Sequence, residues 1–253
     1  MNIFQLIRDR IAAVIGVVFF SILICFCGIA FTFFFAPQQA IEATRISNLP
    51  YMDAGTVTSA APGTDLLVTA WLAGNAPLVE ADAFVAYTLE TWDVTPGTSS
   101  DEGETEPNGT WETVEQVIPD LTLDLNGQTV HLLSAPSVSF SGPLHEQVVR
   151  GNGVEEAQYD GAWLPEGSQR YRGFFDGDLL TVLGKKASTG GIIPEKMFAG
   201  DRVAFEQSEK DTAKGLLIAG ISMMVCAPIF LVLGGLGAIF GRARGRGGFS
   251  RRF

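Results

Sequence analysis

The sequence predicts two transmembrane α-helices flanking a mainly-β, barrel- or sandwich-like extramembrane domain. Three observations carry that expectation. Residues 11–35 and 215–240 hold no charged side chain, and each run exceeds the ~20 apolar residues that a membrane helix needs. Between them, from about Ala54 to Glu206, apolar residues mostly recur at every second position, bounded by Gly, Pro, Asn and Asp, as in strands with one buried face. No long amphipathic helical pattern interrupts that stretch, and no internal repeat is present.

Residues 1–10 form an N-terminal segment carrying Arg8 and Arg10. Residues 11–36 make the first span, whose apolar core is far longer than the roughly 7–15 residues of a cleaved signal, so a permanent anchor is expected. Lipidation is not expected, because Ile24 stands where a small residue should precede Cys25. Residues 37–214 form the acidic β-rich domain, residues 215–240 the second span, and residues 241–253 a tail with five arginines. Arg and Lys near membrane helices mark the cytoplasmic side. Both termini are therefore expected in the cytoplasm at the cell (plasma) membrane, with residues 37–214 outside.

The outer domain carries 10 basic and 27 acidic residues, a net charge of −17. Phosphate recognition depends on Lys and Arg, so nucleic acid and anionic lipid headgroups are poor partners for it. A solvated surface is the plainer reading of such acidity, and charge alone leaves open whether it reflects adaptation to salt or a binding role. The expected surroundings are the lipid bilayer and membrane-protein partners, in an oligomeric state that composition leaves open. Cys25, Cys27 and Cys226 all lie in the spans, so ordinary packing without disulfides must hold the outer domain.

The clearest strands are "DLLVTAWLA" at 65–73, "AFVAYTLETWDV" at 83–94, "DLTLDL" at 120–125 and "DLLTVL" at 178–183. Residues 95–110, rich in Pro, Gly, Ser and acids, read as a mobile surface loop between two strands, with a formal glycosylation sequon at Asn108-Gly109-Thr110. In "LTLDLNGQTVHL", Asn126-Gly127 supplies the two positive φ angles of a type I′ turn. Pairing Leu125 with Gln128 then sets Leu123 opposite Val130 and Leu121 opposite Leu132 on the core face, with Asp124 opposite Thr129 and Thr122 opposite His131 on the polar face.

Several stretches begin like functional motifs and fail on spacing. In "RYRGFFDGDLLTVLGK" (170–185) the Asp-Gly-Asp lacks an oxygen ligand at position five, where Leu180 stands, and Gly184-Lys185 lacks the earlier glycine and the following Ser or Thr of a phosphate loop. A turn at Asp176-Gly177 feeding a strand remains. "GNGVEEA" (151–157) has Glu156 in place of the last glycine of a dinucleotide fingerprint and reads as a turn. His131 near Asp124 reads as an exposed strand residue rather than an oriented base, and His145, among turn residues, as solvated. Asp101, Glu102, Glu104 and Glu106 read as solvated charge without a preorganised cage. No catalytic, metal-binding or cofactor-binding residue is expected, and no cofactor. In the second span Gly234, Gly237 and Gly241 are candidate helix-packing residues, because small residues three and four apart let another helix approach, and Pro228 is expected to bend that helix.

In its plan of span, acidic β-domain and span, the chain resembles the GIDE or "beside a membrane" (BAM) family, in its prokaryotic form without a RING finger. The residues carrying the resemblance are "FVAYTLETW", "TVEQVIPDLTLDLNGQTVHL" and above all "RYRGFFDGDLLTVLGK". The resemblance implies a domain between spans that sits away from the cytosol. Residues 241–253 hold no Cys or His, so ubiquitin transfer, which needs a zinc-binding RING, does not carry over. Gly173 stands where that family commonly has an acidic residue. The expected function is a non-catalytic, membrane-anchored β-domain acting as a protein-binding module or accessory subunit of a membrane complex. An envelope sensor or small-ligand binding module is the alternative, followed by a hydrolase built on Asp and His.

Overall fold

The computed structural model describes residues 3–78, 83–97, 99–100, 103–104 and 106–240. The chain divides into two compact units, a helical one of Met1–Arg45 with Glu209–Phe253 and a β unit of Ile46–Ser208. Two helices are long and apolar enough to cross a membrane.

The first runs from Ile3 to Asn48 as α1 (Ile3–Ala30), a π-helical turn (Phe31–Phe35) and α2 (Ala36–Asn48). The wider turn has a local cause. Pro37 has no N–H to give the carbonyl four residues back, and its ring crowds that carbonyl; the ladder widens instead, with Ala36 N–H donating to Phe31 O. After a short helix α3 (Ala54–Ser59) and the β unit, α4 (Arg202–Phe240) runs through Pro228. At 39 residues α4 is about 58 Å long, roughly twice the hydrocarbon thickness of a bilayer.

The β-domain expected over 37–214 is therefore narrower, because 36–48 and 202–214 are helical continuations of the apolar runs. Hydropathy falls at residue 36 while the helix does not end. Ala36, Ala43 and Ile46 continue a buried helical seam, and no breaker follows Pro37 until the Asn48-Leu49-Pro50 stretch.

The β unit is built on a five-stranded barrel of β1 (Asp65–Leu72), β6 (Leu121–Leu125), β7 (Gln128–Leu132), β14 (Ile192–Ala199) and β13 (Leu179–Lys186), which pairs back with β1. Numbered along the chain, the barrel strands neighbour in the order 1-2-3-5-4, with only the third and fifth parallel. That is the connectivity of a Greek-key barrel of the OB type. β8 (Ser139–Ser141) extends the parallel edge along β14.

Two insertions leave the barrel and meet each other. One, between β1 and β6, holds β2 (Phe84–Thr95), the short pair β3 (Ser99–Ser100) and β4 (Gly103–Glu104), and β5 (Asn108–Val117). The other, between β7 and β13, holds β8, β9 (His145–Val149), the hairpin of β10 (Glu156–Tyr159) and β11 (Ala162–Pro165), and β12 (Gln169–Phe175). Together they form an antiparallel sheet in the order β5-β2-β12-β9.

All four expected strands are present, and the β6–β7 hairpin has the register read from its sequence. Asn126 and Gly127 take φ of 56° and 83° at the turn, and Leu121, Leu123, Leu125, Val130 and Leu132 are buried. They join Leu66, Val68, Leu180, Val182 and Met197 in a core that also receives Val85, Ala86 and Phe174 from the second sheet.

The expected loop of residues 95–110 differs from the structure at its far end. Residues 98, 101, 102 and 105 lie outside the described residues, but Asn108–Thr110 belong to β5, paired with Thr95, Val94 and Asp93. The physical reason is Trp92, whose ring lies so close against Gly109 that any side chain there would collide with it.

Candidate functional site

Three groups of polar and aromatic residues stand out, and the first is internal. Arg170 on β12 lies opposite Glu90 on β2, and its Nε donates to Glu90 Oε2 at 2.7 Å. Its Nη1 donates to Tyr159 Oη at 2.8 Å, while the guanidinium lies 4.4 Å from the Trp111 ring centre and 5.6 Å from that of Tyr159. Tyr159 in turn donates to Glu146 Oε1 at 2.8 Å. Burial works against the charge on Arg170, yet Glu90 and Tyr159 outweigh it and hold the guanidinium pKa above its ordinary value. Burial, then the bond to Glu146, pushes the Tyr159 hydroxyl up as well. This cluster pins the β10–β11 hairpin onto the sheet.

Next along the same strand, Gly173 is required by packing. A Cβ there would run into the Ala86 carbonyl and sit 2.8 Å from Tyr87 Cα, so no acidic residue fits. Beyond it, Asp176 accepts from Gly74 N (3.2 Å), Asn75 N (3.0 Å) and Asn75 Nδ2 (3.0 Å). Asn75 Nδ2 also donates to Thr122 O, and Thr122 N donates to Asn75 Oδ1. The Asp-Gly-Asp stretch thus clasps the chain leaving β1.

The histidines serve different ends. His131 is exposed, and Asp124 accepts from Gly127 N at 2.7 Å, so that carboxylate caps the hairpin turn. His145, expected to be solvated, is exposed but engaged. Its Nε2 lies 3.0 Å from Asp178 Oδ1 and its ring stacks on Phe175 at 4.0 Å, while Phe175 N donates to Asp178 Oδ2. This pair ties the start of β9 to the β12–β13 turn, a juxtaposition that depends on the β9–β12 register and leaves no local signal. Among the described residues no group of three or more His, Cys, Asp or Glu is placed to hold a metal ion.

The second group lines an open groove of about 300 Å³ on the outer barrel wall, formed by Tyr51, Thr69, Ala70, Trp71, Asp124, Asn126, Leu179, Asp201, Arg202 and Val203. Its geometry follows from register. Trp71 lies between Leu179 of β13 and Asp124 of β6, and alternation along β1 turns it outward while Ala70 and Leu72 are buried. Thr69 and Thr181 hydroxyls meet at 2.9 Å, and Thr181 Oγ1 donates to Gly200 O, setting the start of α4 against the barrel. Asp201 caps α4, accepting from Ala204 N at 2.8 Å. Arg202 donates to Glu206 (2.6 Å) and to Leu49 O (2.6 Å). Trp71 is 53% exposed and Tyr51 66%, which leaves two large ring surfaces open to solvent.

The third group is the helix pair. Its helices are antiparallel, with Gly28 against Gly220, Phe20 against Phe230 (ring centres 5.5 Å apart) and Val17 against Gly234. A Cβ on Gly28 would stand 2.9 Å from both Gly220 O and Met224 Cγ, and one on Gly220 would collide with the Thr32 hydroxyl. Of the candidate packing residues, Gly234 faces Val17, a Cβ on Gly237 would have nothing within 4 Å, and Gly241 lies outside the described residues. The close approach of Gly28 to Gly220 joins single glycines on different helices, which spacing within one helix does not reveal.

No protein-family model matches the chain, and neither does a curated protein or a solved structure.

Proposed function

We propose that the chain is a non-catalytic, membrane-anchored β-domain that works by binding a protein, as a recognition module or an accessory subunit of a membrane complex. The observation that carries this reading is the groove around Trp71 and Tyr51. Half-exposed Trp and Tyr side chains around a concavity are the composition of protein-binding hot spots. A small-ligand pocket buries most of its ligand's surface. These rings instead stand open at a rim, which favours a protein partner over an envelope sensor for small ligands.

The orientation proposed is both termini in the cytoplasm of a cell whose plasma membrane the two helices cross, with the β unit outside. The arginines at both ends support it, as does the antiparallel helix pair, which sends residues 3 and 240 to one end. The likeness to the GIDE family enters on the same terms, as one of architecture. The net charge of −17 over residues 37–214 disfavours nucleic acid as the partner.

A photo-cross-linking amino acid at Tyr51, in native membranes, tests the binding role. One discrete protein adduct is expected from that position and none from Val114, exposed on β5. Equal labelling from both positions, or none from Tyr51, would overturn the reading.

A further inference from the structure

The partner's chemistry is written in what the groove lacks. Around Arg170 the chain encloses a guanidinium with a Trp ring, a Tyr ring and a carboxylate on the opposing strand. The groove holds a like set, Trp71, Tyr51, Asp124 and Asp201, on an open surface, with Arg202 as the cation in its lining. Asp124 and Asp201 both line the groove, and each accepts one backbone N–H, from Gly127 and Ala204, which fixes the carboxylate in place. Arg202, the cation lining it, is neutralised by Glu206 at 2.6 Å and held at the Leu49 and Ser47 carbonyls. Among the described residues that line the groove, two carboxylates and two rings thus have no free cation beside them, within a domain of net charge −17. Rings of this kind attract a cation within about 6 Å of their centres, and a guanidinium also pairs with carboxylates through its fork of N–H donors.

We propose that the groove receives an arginine side chain presented by the partner protein, an inference that rests on the binding role above. The surrounding acidity steers the basic segment to the surface, and the groove selects the one side chain that satisfies rings and carboxylates together.

The test uses the full chain in nanodiscs of zwitterionic lipid and a fluorescent Gly/Ser peptide with one central Arg, its binding followed by anisotropy. Saturable binding is expected, at least tenfold weaker when the Arg is replaced by citrulline, which keeps the shape and removes the charge. The double variant D124N/D201N should lose at least tenfold too, with its unfolding midpoint kept, because Asn retains the acceptor that each backbone N–H needs. W71F should weaken binding severalfold as a second route to the same site. The pair E112Q/E115Q, on the exposed part of β5, removes the same charge elsewhere and should leave affinity within twofold. An equal loss in both double variants would mean a diffuse field and overturn the site. So would indifference to citrulline, an absence of saturable binding, or a neutral disaccharide that binds where the peptide does not. A Tyr51 adduct in membranes without a charge-dependent response to the peptide removes the arginine and keeps the binding role; loss of the adduct as well removes both.

Discussion

A guanidinium nine-tenths buried beneath a hairpin must be neutralised where it lies, and Glu90 does this for Arg170 at 2.7 Å. Replacing Arg170 by Met leaves that carboxylate buried and unpaired, a change that costs about 3–5 kcal/mol in comparable pairs. Urea unfolding of R170M should show a loss of that order, and the double variant R170M/E90Q should recover part of it. Gly173→Ala should also be destabilising, because a methyl there must push β12 off the Ala86 carbonyl. Asp176 brings a pH dependence. Slight burial raises its pKa, but the N–H groups of Asn75 and Gly74 more than offset this and hold it below the usual carboxylate value. A depressed folded-state value means that the carboxylate stabilises the fold above the unfolded value near 3.9. That contribution is lost as pH falls through the folded value. The stability gap between wild type and D176N should therefore be widest near neutral pH and shrink below about pH 4, which unfolding curves at pH 7 and pH 3 will measure.

At the scale of elements, the β6–β7 hairpin was legible because its two signals are local: an Asn-Gly pair at the turn and leucines at every second position. A slip of one residue would turn Leu121, Leu123 and Leu125 outward together, so turn and core specify one register. Leu123→Ala should cost about 2–5 kcal/mol, as a fully buried leucine does elsewhere, checked by the shift in denaturation midpoint. The groove and the Arg170 cluster were not legible, since each depends on pairings such as Trp71 with Asp124 or Arg170 with Glu90, whose partners lie 53 and 80 positions apart. The helix extensions were hidden for another reason: apolarity marks where a helix is greasy, not where it stops. The helix pair makes its own prediction. A Cβ on Gly234 would lie 3.8 Å from Val17 Cβ, the mean separation in a disulfide. With Cys25, Cys27 and Cys226 replaced by Ala, the variant V17C/G234C should cross-link within one chain under mild oxidation and migrate faster without reductant. A V17C/G237C control should not.

At the scale of the whole molecule, the barrel is a frame from which two excursions depart, and the second sheet exists only because they meet. Each excursion alone offers half a sheet. β2 with β5 has its other side filled by β12, and β9 reaches β2 only through β12. Strand signals in the sequence showed that this stretch is β, but not that it holds a closed barrel and a second sheet, because closure is a relation between the first and fourth barrel strands. That relation also sets a schedule. Ala70 of β1 waits for Leu180 of β13, 110 positions later. At ribosomal rates of about 5–20 residues per second, the edge of "DLLVTAWL" that faces β13 stays unpaired for roughly 5–20 s after it is made, although β6 can meet the end of the strand sooner. Through that interval an apolar strand with a free edge is presented to every neighbouring nascent chain, so the barrel's closing partner is also the residue run on which its escape from aggregation depends.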